Sequence, residues 1–340
     1  MISDPQIRRP TEMPNTYSLE VEAGILRAKQ IGVGLWELNV VRRAPEVCFA
    51  RQRCVTEFPR DVVEEFLRLG SLGWVCDLIA RHCDPNYVLG TIERQLFSYY
   101  PSAAFRGKRL LDFGCGSGAS TFGMGRMLPA SEIVGVELEP RHVELAQKVS
   151  KFRNLPNVQV LRSPSPESLP EGIGMFDFVM LSAVYEHLLP HERKQLMPLL
   201  WSKLKPNGAI FINQTPHRYF PYEHHSTRLW MINYLPDRLA HKMTTSFTNQ
   251  RSVDWNDHLR GGIRGATEGE ILQTLTRGGD ARILRPSTNG LRCRADYWLA
   301  GCGPKHRIAK RTVWGVFRLT EVIFNTVPAM NINVVVQKVA

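Results

Sequence analysis

The chain is predicted to be an α/β protein with a parallel sheet and helices on both faces, and three observations predict it. Short apolar runs alternate with helix-length segments from Arg109 onward. One of those runs, Leu110, Leu111 and Phe113, passes within a residue into Gly114, Gly116 and Gly118, and then into a helical segment from Ala119 to Leu128. A last apolar run, Ile332 to Lys338, stands far from its predecessors, so the sheet is expected to close only at the C-terminal end.

Taken in order, residues 1 to about 58 show no sustained period, and Asp61 to Leu69 reads as a helix with Gly70 as its stop. Asp84-Pro85 reads as an N-cap and first helical residue, followed by Val88, Ile92, Leu96 and Tyr99 on one face. Residues 1–104 are therefore expected to form a helical N-terminal extension or lid, ahead of a main domain over 105–340. Within that domain the expected strands after the glycine segment are Ile133–Val136, Val158–Leu161, Phe176–Leu181 and Ala209–Asn213. The helices between them are Pro140–Phe152 and His191–Leu204, the second with Pro198 inside. Thr267-x-x-Glu270 is a capping box opening a helix that Gly278-Gly279 would stop. Ala281–Leu284 and Ile332–Lys338 supply the last strands, and about 285–331 is an insertion on one rim.

Composition narrows the classes. Hydrophobic content of 43% and charged content of 22% are those of a folded protein with a sizeable core. No apolar run reaches the ~18 residues of a spanning helix, and the first residues carry no secretory pattern. Seven cysteines without a CxxC pair fit reduced thiols, and hence a cytoplasmic protein. Cys76, His82 and Cys83 lie close together but no second pair follows at zinc spacing, so no metal is expected. A net charge of +11 suits an anionic partner, and the excess concentrates between Arg282 and Arg318, where Asp296 is the sole acid.

A strand feeding a helix through glycines is a ligand seat, because the backbone is bare and free N–H groups point outward at the helix start. Gly114-x-Gly116-x-x-Ala119 formally satisfies the dinucleotide fingerprint, and Glu137 ends the next strand where a carboxylate can take ribose hydroxyls. Asp112 separates the ligands. A carboxylate just before the glycines would repel a pyrophosphate, whereas it suits a ligand with an ammonium and a sulfonium group.

The stretches LLDFGCGSGAST, VGVELEP, FDFVMLSAVYEHL and LKPNGAIFINQTP resemble, in order and at similar intervals, the motifs of class I S-adenosylmethionine-dependent methyltransferases. The resemblance covers about Phe105 to Asp237. It implies a Rossmann-like, seven-stranded, mostly parallel sheet with its last strand antiparallel, and S-adenosyl-L-methionine as cofactor. It also implies cofactor contacts from Asp112, Gly114, Cys115, Gly116, Gly118, Glu137, Leu138, Ser165 and Ser182. Ser165 is a departure, since the family usually places an acid near the adenine amino group. Tyr185, Glu186 and His187 follow at the mouth; Glu186-His187 is read as pinning its loop rather than as catalytic.

After the fifth strand, Thr215 to Thr227 resembles a TPNR-x-x-P-x-E-x-H segment of a bacterial subgroup, many acting on glycans, lipids or small molecules. This implies His225 as a general base with Glu223 orienting it, and His217 and His224 as further candidates; loop fixation is the competing role. The expected activity is O-methylation of a small molecule, glycan or lipid-linked acceptor. The alternatives are a nucleic-acid methyltransferase, motivated by charge, and a non-catalytic scaffold of the same fold. Against nucleic acid, LSAVYEHL replaces the N/D-P-P-Y/F tetrapeptide common in base methylation. Residues 305–327 form a basic amphipathic segment compatible with peripheral contact with an anionic membrane.

Overall fold

In the computed structural model, the structure describes residues 6–8, 12–13, 15–43, 50–248, 254–276 and 281–339. The chain divides into two compact units, residues 1–93 with 115–129 and 137–162, and residues 94–114 with 130–136 and 163–340. This division interleaves the chain.

The first unit opens with strands, not helices. Strands β1 (Glu12–Met13), β2 (Thr16–Val21), β3 (Gly24–Gly32), β4 (Leu35–Arg42) and β5 (Arg53–Thr56) form an antiparallel meander in sequence order. The expected helical extension is corrected here. Leu19, Val21, Leu26, Ala28, Leu38 and Val40 alternate with solvent-facing charges such as Glu20, Arg27 and Glu37, a period of two in runs too short to dominate a longer window. Gly34 sits between β3 and β4 with φ +65, the left-handed conformation a tight hairpin demands.

Helix α1 (Arg60–Cys83) buries Val63, Phe66, Leu67, Val75 and Ile79 in the same core as the meander. Its first stretch ends beside Gly70, as the sequence predicts. The helix breaks at Ser71 (φ 56, ψ 179) and resumes, and a Cβ on Gly70 would come within 2.3 Å of Leu78 Cδ1. Asp84 accepts from the Asn86 N–H at 3.0 Å and caps a π turn over Pro85–Leu89, after which α2 runs Gly90–Tyr99. Helices α3 (Ala119–Met127) and α4 (Pro140–Arg153) add Phe122, Leu145, Ala146 and Val149 to this core.

The main sheet has seven strands. These are β6 (Arg109–Phe113), β7 (Glu132–Glu137), β8 (Val158–Arg162), β9 (Phe176–Ser182), β10 (Leu204–Pro216), β11 (Ala281–Ile283) and β12 (Asn331–Lys338), in the order β11-β12-β10-β9-β6-β7-β8. Pairs β6/β7, β6/β9 and β9/β10 are parallel, and β12 runs antiparallel to β10 and β11. The expected α/β, Rossmann-like, mostly parallel sheet is what the chain forms. Its centre in the second unit is dry, with Ala209–Ile212 of β10 and Val334–Val336 of β12 fully buried. Phe105, Phe178, Phe211 and Tyr100 pack there edge-on or tilted, with ring centroids 4.8–6.1 Å apart.

Helix α5 (Pro190–Ser202) contains Pro198, and helices α6 (Asp237–Phe247), α7 (Trp255–Arg260) and α8 (Glu268–Thr276) lie between β10 and β11. The Glu270 N–H donates to Thr267 Oγ1 at 3.1 Å, half of the expected capping box, while Gly278-Gly279 lies outside the described residues. The rim segment between β11 and β12 is a helical pair, α9 (Arg294–Gly301) and α10 (Arg307–Phe324), joined by Trp298 against Phe317. At the end of β10 the register slips between Asn213 and Thr215, with Gln214 at φ 60. That bulge aims the chain into the next loop.

Candidate active site

In the first unit, Gly116 and Gly118 both hold positive φ (57 and 89), and they differ in what surrounds them. A Cβ on Gly118 would strike the Phe122 ring at 2.3 Å, so this glycine is required by packing at the start of α3. A Cβ on Gly116 would meet nothing within 4 Å, so bare backbone faces open space there. Glu137 sits beside it. One carboxylate oxygen accepts the Gly116 N–H at 2.8 Å, and the other accepts the N–H groups of Leu138 (2.8 Å) and Glu139 (3.0 Å). Glu137 thus fixes the glycine loop and the turn that leads into α4, with acceptor capacity left on one oxygen. Cys115 is buried within the loop, and Leu138 is partly exposed.

His82 of α1 was not among the expected site residues, yet its Nε2 lies 2.9 Å from Ser117 Oγ in the same loop. Burial, with help from Arg153, Arg126 and Arg81, pushes this imidazole down to about 3 and keeps it neutral. Its neighbours Cys76 and Cys83 turn to Gln52 O and Thr56 Oγ1, so the three groups go to three partners.

In the second unit, Asp112 is 1% exposed near the end of β6, and Gly114 follows at φ 71 with Val184 against its bare Cα. Ser182 ends β9 in register with Asn213. Ser165 contributes less than expected. Its hydroxyl lies 2.8 Å from Ser168 Oγ and accepts the Glu167 N–H, so it serves its own turn.

The Tyr185–Glu186–His187 turn is clamped by Arg193. That guanidinium donates to the carbonyls of Glu186, Leu188 and Gly265 and to the Glu270 carboxylate, and lies over the Tyr185 ring. Glu186 is fully buried. One oxygen accepts from Thr215 Oγ1 at 2.8 Å; the other has no hydrogen-bond partner and lies 3.9 Å from His187 Nε2. Burial raises the Glu186 carboxyl above the ordinary range, against the opposing pull of His187 and Thr215. His187 Nδ1 donates to the Arg260 carbonyl at 2.6 Å, which leaves Nε2 as the lone-pair nitrogen.

The four residues expected on the loop after β10 separate sharply. His217 is buried; Nδ1 accepts the Tyr219 N–H at 3.0 Å, and Nε2 lies 3.0 Å from Glu268 and 3.2 Å from Thr326 Oγ1. Both nitrogens are occupied, so His217 is a structural group and not an available base. Glu223 does not orient an imidazole. Its carboxylate collects the backbone N–H groups of His225, Ser226 and Thr227 and both hydroxyls of Ser226 and Thr227, which outweigh burial and hold its carboxyl low. It fixes the loop. His224 is half-buried, with a ring 6.4 Å from that of His225. His225 is exposed, 5.3 Å from the His187 ring, and its Nε2 edge faces Gly262 beside Glu186. Although the residue as a whole is exposed, partial desolvation of its ring and the neighbouring His187 lower the His225 imidazole, with Glu223 opposing. The site that forms is Glu186, His187 and His225.

Residues 110–208 match the family model described as a methyltransferase domain. An uncharacterized protein of Rickettsia prowazekii is 31% identical over 132 residues, 39% of this chain and 51% of that protein. Ribosomal protein L11 methyltransferase of Vibrio parahaemolyticus is 26% identical over 169 residues, covering 45% of this chain and 54% of that one. The mitochondrial ubiquinone biosynthesis O-methyltransferase of Mus musculus is 29% identical over 117 residues, 34% of this chain and 30% of that one. The chain thus spans about half the length, or less, of these curated relatives. Among solved structures, PKMT2 from Rickettsia typhi in complex with AdoHcy aligns with a TM-score of 0.43 and 17% identity, over 71% of this chain and 53% of that one. Over residues 110–208 the chain thus carries a methyltransferase domain, and S-adenosyl-L-methionine is its cofactor.

Proposed function

We propose that the protein transfers the methyl group of S-adenosylmethionine to an oxygen of a small-molecule, glycan or lipid-linked acceptor. The observation that carries the reading is the open backbone at Gly116, braced by Glu137 and preceded in sequence by the buried Asp112. Asp112 would take the cofactor's amino group and Glu137 its ribose, with Gly114, Gly116 and Gly118 as the bare track; Cys115, Leu138 and Ser182 are secondary contacts. In-line transfer breaks the methyl–sulfur bond, forms the carbon–oxygen bond, and leaves the sulfur electron pair on S-adenosylhomocysteine. The protein mainly positions the acceptor and excludes water. The acceptor's hydroxyl proton goes to His225, the most exposed member of the Glu186–His187–His225 group.

The lipid-linked variant rests on α10. Its inward stripe, Trp314, Phe317 and Glu321, faces α9, while Ile308, Val316, Leu319 and Ile323 form a second, exposed stripe flanked by Arg311 and Arg318. An apolar stripe with basic flanks fits a helix lying on an anionic membrane surface. Among the described residues no helix is long and apolar enough to cross one.

A protein acceptor is the second reading, favoured by the likeness to ribosomal protein L11 methyltransferases. The net charge of +11 favours nucleic acid as a third. Tritiated-methyl transfer to a cell extract, fractionated into lipid, glycan, small molecules, RNA and protein, separates them. Label in lipid, glycan or small molecules is expected; label confined to protein or RNA replaces the acceptor, and failure to bind the cofactor removes the enzymatic reading in favour of a scaffold.

A further inference from the structure

The Glu186 carboxylate poses a problem of charge. It is 0% exposed, and one of its oxygens lacks a hydrogen-bond partner although two imidazoles stand beside it. A buried carboxylate ordinarily has a cation or a full set of donors. Arg193 of α5, which clamps this turn, acts on Glu186 only through space: its N–H groups go to the Glu186 main-chain carbonyl and to Glu270, not to the Glu186 side chain.

The lone pairs converge instead. One ligand atom each from Glu186, His187 and His225 lie within 4.8 Å of one another. His187 is committed to the tautomer that presents Nε2, because Nδ1 is spent on the Arg260 carbonyl. The second Glu186 oxygen is held by Thr215, which leaves the unpartnered one aimed at His187. Such partners behind the coordinating atoms are the usual way ligand imidazoles and carboxylates are oriented. Gly262 completes the cradle. A Cβ there would stand 2.8 Å from the His225 ring and 3.2 Å from Glu186 Cγ, at a φ of +86 that disfavours any side chain.

We propose that Glu186, His187 and His225 bind a divalent transition-metal ion, with zinc(II) the best match. Two imidazoles and one carboxylate with positions left open is the donor set of catalytic zinc sites and of facial-triad iron sites. A tetrahedral ion with bonds of about 2.0–2.1 Å places its ligand atoms roughly 3.3–3.5 Å apart. The 3.9 Å between Glu186 and His187 needs little closure, and His225, exposed on its loop, supplies the rest.

A second convergent group, Glu167, His191 and Glu192, lacks these features. The Glu192 oxygens are taken by the Leu189 N–H and by both arms of Arg260, so no orphaned oxygen points into it. It serves as the internal control.

With the ion bound, His225 is a ligand rather than a base. The ion would bind an acceptor oxygen, the hydroxyl proton would leave to solvent, and the resulting oxyanion would take the methyl. That last step rests on the proposed methyl transfer; the binding itself does not, and is read without turnover.

The test is titration of the chelator-treated 340-residue chain with cobalt(II) chloride, followed by visible absorption, with zinc(II) as competitor. One saturable equivalent is expected, displaced by zinc. Glu186→Gln, His187→Ala and His225→Ala should each weaken binding at least tenfold, and His191→Ala should leave it unchanged. His225 is exposed and Glu186→Gln preserves shape, so at least two variants are expected to fold, checked by cooperative unfolding. No saturable binding, or wild-type affinity in any of the three ligand variants, overturns the site. Methyl transfer that persists in metal-free protein would leave the methyltransferase reading standing while removing the ion from it.

Discussion

His217 and His225 lie on the same loop, yet the fold gives them opposite surroundings. His217 is enclosed, with Tyr219, Glu268 and Thr326 on its nitrogens, and Glu268 in turn binds Arg294, Thr326 and the Val327 N–H. His225 is exposed, its ring near His187 and its backbone N–H held by Glu223. A histidine whose nitrogens are both satisfied has been recruited for architecture. One whose backbone is fixed while its ring stays accessible is available for chemistry. Residue type alone does not separate them; what the rest of the fold brings to each ring does.

The contrast is open to several kinds of attack. His217→Ala should have the largest effect on stability, about 3–5 kcal/mol, because it strips one partner from a buried charge network. Urea unfolding reads this, and a loss under 1 kcal/mol would contradict the structural assignment. His225→Ala should show the reverse pattern. Stability should change by no more than ~0.5 kcal/mol, while methyl transfer falls by roughly 100-fold as expected for loss of a proton-handling or ligand group. Activity close to that of the wild type would return His225 to a loop-fixing role.

Glu223→Ala should cost about 2 kcal/mol, since three loop N–H groups lose their acceptor. Its effect on methyl transfer should track loop order rather than proton transfer, so the pH profile of the residual activity should keep its shape. A shifted profile would restore the ring-orienting role that the geometry denies it.

The pH dependence of stability gives a smaller, signed test. Burial opposes charge on Glu268, but His217, Thr326 and Arg294 outweigh it and hold the carboxyl at about 2, against an ordinary 4.5. A depressed folded value means the contribution is present above about pH 4.5 and is lost as pH falls towards 2. The difference in unfolding free energy between wild type and Glu268→Gln should therefore shrink through that window. A constant difference would show that Glu268 carries no such linkage.

The same comparison explains what could be read beforehand. The glycine loop, Asp112 and the alternating strands β6 to β10 are local patterns, set by neighbours along the chain, and they were legible. So was the long excursion between β11 and β12. The N-terminal meander was not, because each strand is short and its solvent face is charged, which hides a period of two among arginines and glutamates. The pairing of His187 with His225, and of His82 with Ser117, depends on contacts between distant segments and has no local signature. Glu223 was legible as a position but not as a role, since a carboxylate that collects backbone N–H groups looks in sequence like one poised to orient a ring.

The central claim is that the Gly116 backbone, braced by Glu137, receives S-adenosylmethionine. Titration calorimetry with that cofactor tests it most directly, on wild type and on Gly116→Val, whose side chain would fill the open space above the loop. The account predicts saturable one-to-one binding by the wild type and its loss in the variant. No binding by the wild type, or equal binding by Gly116→Val, would contradict it.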